Sequence, residues 1–225
     1  MVELQAALDI TDLDRAVDLA ARLSGTVDRI EVGTPLILRH GVGAIAAVKA
    51  AAPDCVIVAD CKTMDCGGVI VALAIEHGAD GVIVQGAAPL TTVRAAAARA
   101  AELHGFVMVD DLGVRSLQRL ADDISGLAVN HVIIHTGKDE QIHGATPAAR
   151  LVEAAGIPWL PPLAVAGGID AENLGEIVGV NNVDVVIVGQ AIYGSEHPVS
   201  DADRIHRLLA EWTEQGRVSR VGNGV

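Results

Sequence analysis

A single-domain α/β protein of the (β/α)8 TIM-barrel class is the fold that this sequence predicts, and three observations carry the prediction. Apolar runs rich in Val, Ile and Leu alternate with helix-like stretches, giving strand–helix units at a spacing of about 25 residues with no break in composition between them. Hydrophobic residues make up 51% of the 225-residue chain and aromatic residues only 2%, so the core is built from Ala, Val, Ile and Leu, as in parallel sheets covered by helices. Polar residues stand at the carboxyl ends of many different strands, the face on which such barrels build their sites, which favours the barrel over its main rival, a doubly wound open sheet.

The units follow in order. Residues 4–8 form a short apolar strand ending at Asp9, and 12–23 have helical periodicity behind a cap at Thr11 or Asp12. Residues 27–32 make the second strand, with Glu31 near its end, and 40–52 the next helix, stopped by Pro53. The third strand is 55–59, with 68–77 as its helix and Gly78 as a left-handed cap. Residues 80–84 are strand four, and the alanine-rich stretch 91–104 is a helix closed by Gly105. Residues 106–109 are strand five, ending at Asp110, followed by a shorter helix over 116–124. Strand six, 131–134, ends at His135; the stretch 136–140 reads as a polar loop and 147–155 as a helix with Pro147 near its start. Strand seven, 160–165, is broken by Gly167-Gly168 and followed by a helix over 171–178; strand eight, 183–188, ends at Gly189. A closing helix over 200–212, capped by Ser200 or Asp201, completes a catalytic domain spanning 1–215, and 216–225 are expected to be a loose tail.

A formal charge of -13 argues against broad contact with nucleic acid or anionic membranes, so an anionic ligand must be caught locally. Cys55, Cys61 and Cys66 form no CxxC pair and no His-Cys cluster of zinc spacing, and are expected as reduced thiols in the core or near the site. The N-terminus begins with strand-like sequence and no run approaches about 18 apolar residues, which points to a cytoplasmic location.

The stretch Val58-Ala59-Asp60-Cys61-Lys62-Thr63-Met64-Asp65 runs straight from an apolar strand into charge. Buried or half-buried charges are costly unless they are paired or working. If the strand continues, period-two alternation puts Asp60 and Lys62 on one face and Cys61 on the other. Lys62, flanked by Asp60 and Asp65, should stay protonated and act as an electrophile or proton donor, which discounts a Schiff base. Glu31 and Asp60 end neighbouring strands and could share a hard cation, magnesium suiting them best, with water and substrate oxygens completing its shell. The bland alternative is that each is an ordinary cap or ion-pair partner. Of the eight histidines, His135 alone ends a buried strand, where it can titrate near neutral pH. Gly167-Gly168 and Gly189-Gln190 stand after strands seven and eight, where barrels of this class commonly bind a phosphate, although tight turns also use paired glycines.

Four stretches carry a resemblance that covers nearly the whole chain: Ile30-Glu31-Val32-Gly33-Thr34-Pro35-Leu36, Ala59-Asp60-Cys61-Lys62-Thr63-Met64-Asp65, His135-Thr136-Gly137-Lys138-Asp139-Glu140-Gln141, and Val165-Ala166-Gly167-Gly168-Ile169. They resemble the orotidine-monophosphate-decarboxylase superfamily, and within it the 3-hexulose-6-phosphate synthases. The resemblance implies a lyase that joins formaldehyde to D-ribulose 5-phosphate, or reverses that aldol reaction, through a magnesium-stabilised enediolate; manganese is an alternative metal. It makes Glu31 and Asp60 the metal ligands, places Lys62 beside the enediolate oxygens, gives substrate hydroxyls to Asp9 and Asp110, and makes His135 the base. It also implies an obligate homodimer in which Asp65 reaches the neighbouring subunit's site. The runner-up is 3-keto-L-gulonate-6-phosphate decarboxylase, which is similar at Asp60, Lys62, Asp65 and His135; Thr63-Met64, Asp110 and the absence of arginine at position 138 favour the synthase. Lys138 itself is a basic candidate for substrate binding. A phosphosugar isomerase, or a non-catalytic phosphosugar-binding barrel with no use for Lys62, are the remaining readings.

Overall fold

A computed structural model describes residues 1–178, 180 and 182–221. In chain order its elements are β1 (Glu3–Leu8), α1 (Leu13–Leu23), β2 (Arg29–Val32), α2 (Thr34–His40), α3 (Gly43–Ala51), β3 (Val56–Thr63), α4 (Gly67–Glu76), β4 (Gly81–Gln85), α5 (Leu90–Glu102), β5 (Phe106–Asp110), α6 (Leu117–Ile124), β6 (His131–His135), α7 (Lys138–Gln141), α8 (Ala148–Ala155), β7 (Leu163–Ala166), α9 (Gly175–Val178), β8 (Val183–Val188), α10 (Gln190–Tyr193) and α11 (Pro198–Val221). Neighbouring strands pair in parallel in sequence order, and β8 pairs back onto β1, closing the sheet into the eight-stranded barrel that the repeating units predict.

The period-two pleat sends alternate residues of each strand into the lumen and out toward the helices, so both faces are buried and the strands read as continuous apolar runs. Val58, Ile83, Met108, Ile133 and Val185 fill the lumen. Ile30, Ile57, Val82 and Val132 face outward and share a larger core with Leu19, Ile45, Val71, Leu120 and Leu151 from the helices. Each fully buried aliphatic side chain of this kind contributes about 1.5–3 kcal/mol. The chain's one Phe, Phe106, takes the space beside Gly81, where a Cβ would sit 2.2 Å from its ring. Helix starts follow their sequence signals: Asp12 caps α1 by accepting from the Arg15 amide at 3.0 Å, and Ser116 caps α6 by accepting from the Arg119 amide at 3.2 Å.

Several boundaries differ from expectation, each for a local reason. The helix expected over 40–52 is α3, and a separate α2 precedes it, with Pro35 in its first turn and Gly41 at φ 68 breaking the two apart. β3 does not stop at Ala59 but continues to Thr63 through a register shift against β4. β7 begins at Leu163, because Pro161 and Pro162 have no N–H to give a ladder. The stretch 136–140, expected as loop, contributes to α7, and α9 is only the last turn of the helix expected over 171–178. After α5 the left-handed residue is His104, φ 59, rather than Gly105, whose amide returns to the Ala100 carbonyl at 2.9 Å. α11 runs on through Val221, into the stretch expected to be loose, and residues 222–225 lie outside the described part. Cys55 is buried, Cys61 partly buried and Cys66 exposed, and all three are free thiols. Among the described residues no helix is long and apolar enough to cross a membrane.

Candidate active site

The carboxyl ends of the strands open onto a cavity of about 970 Å³. Asp9, Glu31, Asp60, Lys62, Asp110, His135, Lys138, Gly167, Gly168, Gly189 and Gln190 all line it, so the sequence-expected residues are brought together with one exception, Asp65. Strand ends explain the gathering: Asp110 and His135 occupy the last positions of their strands, Glu31 the last but one of β2, and Asp9 and Gly189 follow β1 and β8 directly.

Asp60, Lys62, Asp110 and His135 form a continuous chain of contacts. Lys62 Nζ lies 2.9 Å from Asp60 Oδ2 and 3.6 Å from Asp110 Oδ2, and the same Asp110 oxygen is 2.9 Å from His135 Nδ1. Asp60 and Lys62 do share one space, but by a bulge rather than by a plain pleat: Lys62 sits at φ 41, a left-handed backbone uncommon for a residue with a side chain. Burial alone would lower its pKa, yet Asp60, Asp110 and Glu31 outweigh that and hold the ammonium above its ordinary value, so Lys62 stays charged as expected. Its partner is Asp110 where Asp65 was expected to flank it. Burial pushes the Asp110 carboxyl up, but the His135 bond, Lys62 and the Leu112 amide at 2.9 Å bring it below the usual range. An ionised Asp110 only accepts, so His135 Nδ1 carries a proton, and in the neutral ring Nε2 is the acceptor.

Negative charge exceeds what the chain supplies to balance it. Glu31 accepts from Gln5 Nε2 at 2.6 Å, yet burial, then Asp60 and Asp9, push its pKa well above the usual carboxylate range. Asp9, facing the cavity, is raised by its surroundings and then by Asp60. Asp60 Oδ2 accepts from Thr34 Oγ1 at 2.8 Å, while its Oδ1 is buried without a partner.

The opposite wall is glycine and amide. Gly167 is at φ 109, and a Cβ there would meet the Thr136 carbonyl at 2.3 Å, so the β7 turn admits no side chain. Gln141 Nε2 donates to the same carbonyl at 2.7 Å. At Gly189 a Cβ would meet nothing closer than 3.4 Å, so sterics alone do not demand glycine. Lys138 at the rim is exposed and donates to Tyr193 Oη at 3.1 Å and to Gln190 Oε1 at 3.4 Å.

A profile of the orotidine 5'-phosphate decarboxylase / HUMPS family matches residues 2–205. The chain belongs to this family. It is 36% identical over 210 residues to the 3-hexulose-6-phosphate synthase of Mycobacterium gastri, covering 93% of this chain and 100% of that one. The crystal structure of 3-hexulose-6-phosphate synthase from Salmonella typhimurium superposes with a TM-score of 0.90 at 33% identity, over 94% of this chain and 100% of that one. The 3-keto-L-gulonate-6-phosphate decarboxylase of Vibrio cholerae O1 biovar El Tor gives 0.83 at 27% identity, over 94% and 98%. As a member of the orotidine 5'-phosphate decarboxylase / HUMPS family the chain is an enzyme of the lyase type, related to the 3-hexulose-6-phosphate synthases.

In this family member Asp65 stands apart from the cavity. It is exposed, its Oδ1 accepts from the Cys66 amide at 2.7 Å, and it lines a separate groove between α4 and α5. Sequence reasoning also missed residues that serve the site from behind: Gln5 in the lumen under Glu31, Thr34 on α2, Asp111 beside Asp110, and Tyr193 on α10. Gln5 had a signal, being a polar residue amid a strand that faces apolar layers on both sides. Tyr193 had none, and Thr34 only its place in the stretch 30–36, because both lie on short helices that the hydrophobic periodicity does not reveal.

Proposed function

We propose that this enzyme is a 3-hexulose-6-phosphate synthase, reversibly joining formaldehyde and D-ribulose 5-phosphate to D-arabino-hex-3-ulose 6-phosphate in the cytoplasm. The observation that carries the reading is the run of contacts from Asp60 through Lys62 and Asp110 to His135 inside one cavity. His135 Nε2 takes the C1 proton of ribulose 5-phosphate, and Asp110 stabilises the imidazolium that results. Charge then builds on the substrate oxygens, where the Lys62 ammonium meets it. The carbanionic carbon forms the new bond to formaldehyde as its C=O π bond breaks, and the resulting alkoxide takes the proton back from the His135 imidazolium to become a hydroxyl. Asp9 receives substrate hydroxyls, as does Asp110. The phosphate is held by the amides of Gly167, Gly168, Gly189 and Gln190, with Lys138 supplying positive charge at the rim.

Glu31 and Asp60 fit a magnesium ion. Both are buried, the pair carries more negative charge than Lys62 balances, and Asp60 Oδ1 has no other partner. Among the described residues no three His, Cys, Asp or Glu side chains converge as a metal cage; two carboxylates with substrate and water oxygens are the usual magnesium complement. Bound there, magnesium or manganese would stabilise negative charge on the substrate oxygens.

Asp65 belongs, on this reading, to the site of a second subunit in a homodimer. Support comes from its position beside an apolar strip, Met64 (49% exposed), Val69 (63%) and Leu73 (42%), bordering the α4–α5 groove. Sedimentation of a fully active monomer would rule the dimer out.

The deciding assay follows formaldehyde consumption with ribulose 5-phosphate and magnesium, with and without chelator, beside carbon dioxide release from 3-keto-L-gulonate 6-phosphate. Formaldehyde loss that stops with chelator is the expected result. Carbon dioxide release alone would promote the decarboxylase, to which Lys138 gives a basic residue at the cavity rim. Inactivity in both would return the isomerase and the non-catalytic barrel to consideration.

A further inference from the structure

Two consecutive carboxylates grip His135 from different sides. Asp110, facing into the barrel, holds the ring at Nδ1, 2.9 Å away. Asp111, facing the other way as the next residue of an extended chain must, accepts the His135 main-chain N–H on Oδ1 at 2.8 Å. Asp111 is itself only 2% exposed, and its second oxygen pairs with Arg150 of α8. Arg150 in turn donates through Nη2 to the Val114 carbonyl at 2.7 Å, tying α8 to the loop after β5.

A buried carboxylate is expensive to keep, and an ion pair of this kind is often no better for stability than an apolar pair of similar size. Packing alone therefore gives little reason for a charge at 111. The bond to His135 gives one: a strand end frays easily, and a base must be held within about half an ångström of its working position. We propose that Asp111, oriented by Arg150, is a positioning residue that fixes the His135 backbone so that its ring stays on Asp110. The proposal rests on the reading of His135 as the base.

Two double variants of the full chain share the loss of the ion pair and differ in the bond to His135. Asp111→Asn with Arg150→Met keeps an oxygen for the His135 amide, and Asp111→Leu with Arg150→Met does not. Each is assayed for kcat and KM with ribulose 5-phosphate, formaldehyde and magnesium, and for exchange of the substrate's C1 proton with heavy water in the absence of formaldehyde. The asparagine variant should stay within about threefold of wild type, and the leucine variant should lose about tenfold or more in kcat and in exchange, with KM within about twofold. Equal rates in the two, or a change confined to KM, overturn the assignment. A second measurement needs no variant: amide hydrogen exchange in the wild-type chain. The His135 amide should be protected like those of Ile133 and Ile134 despite its place at the strand end, and exchange at the speed of an open loop overturns the proposal. If wild type neither consumes formaldehyde nor exchanges the C1 proton, the proposed activity has failed, and the amide protection still judges the Asp111 bond.

Discussion

At the amino-terminal end of the barrel, Arg29 pairs with Glu3 and lies over the Phe106 ring, 5.3 Å from its centroid, with His131 close by. At the carboxyl end, Asp9, Glu31, Asp60 and Asp110 surround one half-buried ammonium, Lys62, with His135 beside it. Both ends bury charge, but the floor matches it one for one and leaves nitrogens over, Arg29 Nη1 and His131 Nδ1, whereas the mouth leaves over a carboxylate oxygen, Asp60 Oδ1. The floor is roofed by the apolar lumen; the mouth opens onto the cavity. The comparison teaches where to look for chemistry in such a barrel: charge that the protein balances by itself is architecture, and charge left unbalanced beside open space is waiting for a substrate or a cation.

The sharpest way to break this contrast is Lys62→Met, which should lower kcat about a thousandfold or more by removing the ammonium that meets developing charge. Steady-state rates within about tenfold of wild type would leave the mouth no more chemical than the floor.

The floor predicts a smaller effect, and on stability. Burial, then the nearby Arg29 charge, push the His131 pKa down from 6.5 to about 4, with Asp184 pulling weakly the other way. The folded chain resists that proton more than the unfolded chain does. Stability is therefore complete above pH 6.5 and falls as pH drops from 6.5 to about 4, by about 3 kcal/mol. Denaturant melts of His131→Leu should show a flatter curve across this window, with the rate of the folded enzyme near neutral pH unchanged. Superimposable curves for variant and wild type would show that the floor histidine titrates as freely as a surface one.

The smallest effect belongs to the rim. Tyr193→Phe removes the hydroxyl 3.1 Å from Lys138 Nζ, and should raise KM for the phosphosugar about two- to threefold while leaving kcat alone. An unaltered KM would mean that Lys138 needs no such support.

The barrel was legible because aliphatic runs such as 82–84 and 185–188 are buried on both faces and so announce themselves without alternation. Asp60, Lys62, Asp110 and His135 were legible because charge at the end of such a run is conspicuous. Where cues overlap, reading fails. The short α2, with Pro35 in its first turn, leaves no periodic mark, and the contact of Thr34 with Asp60 goes unnoticed with it. Asp111 hides because Asp110 already explains a polar strand end, and its partner Arg150 is 39 residues away. The bulge at Lys62 could not be inferred, since a left-handed lysine has no compositional mark.

Closure of the ring through β1 and β8 has a consequence for synthesis. Ala6 of β1 finds its neighbour Val188 of β8 only after β2 to β7 have left the ribosome. Until then the partial sheet has two bare edges, each a row of unpaired amides and carbonyls able to recruit another nascent chain. Asp9 and Gly189 follow the two strands of the same seam and both line the cavity, so the cavity acquires its last wall in the step that removes those edges. A truncated product ending before Val183 would therefore be inactive and also adhesive, and the cell would meet it as a burden on its chaperones rather than as a weak enzyme.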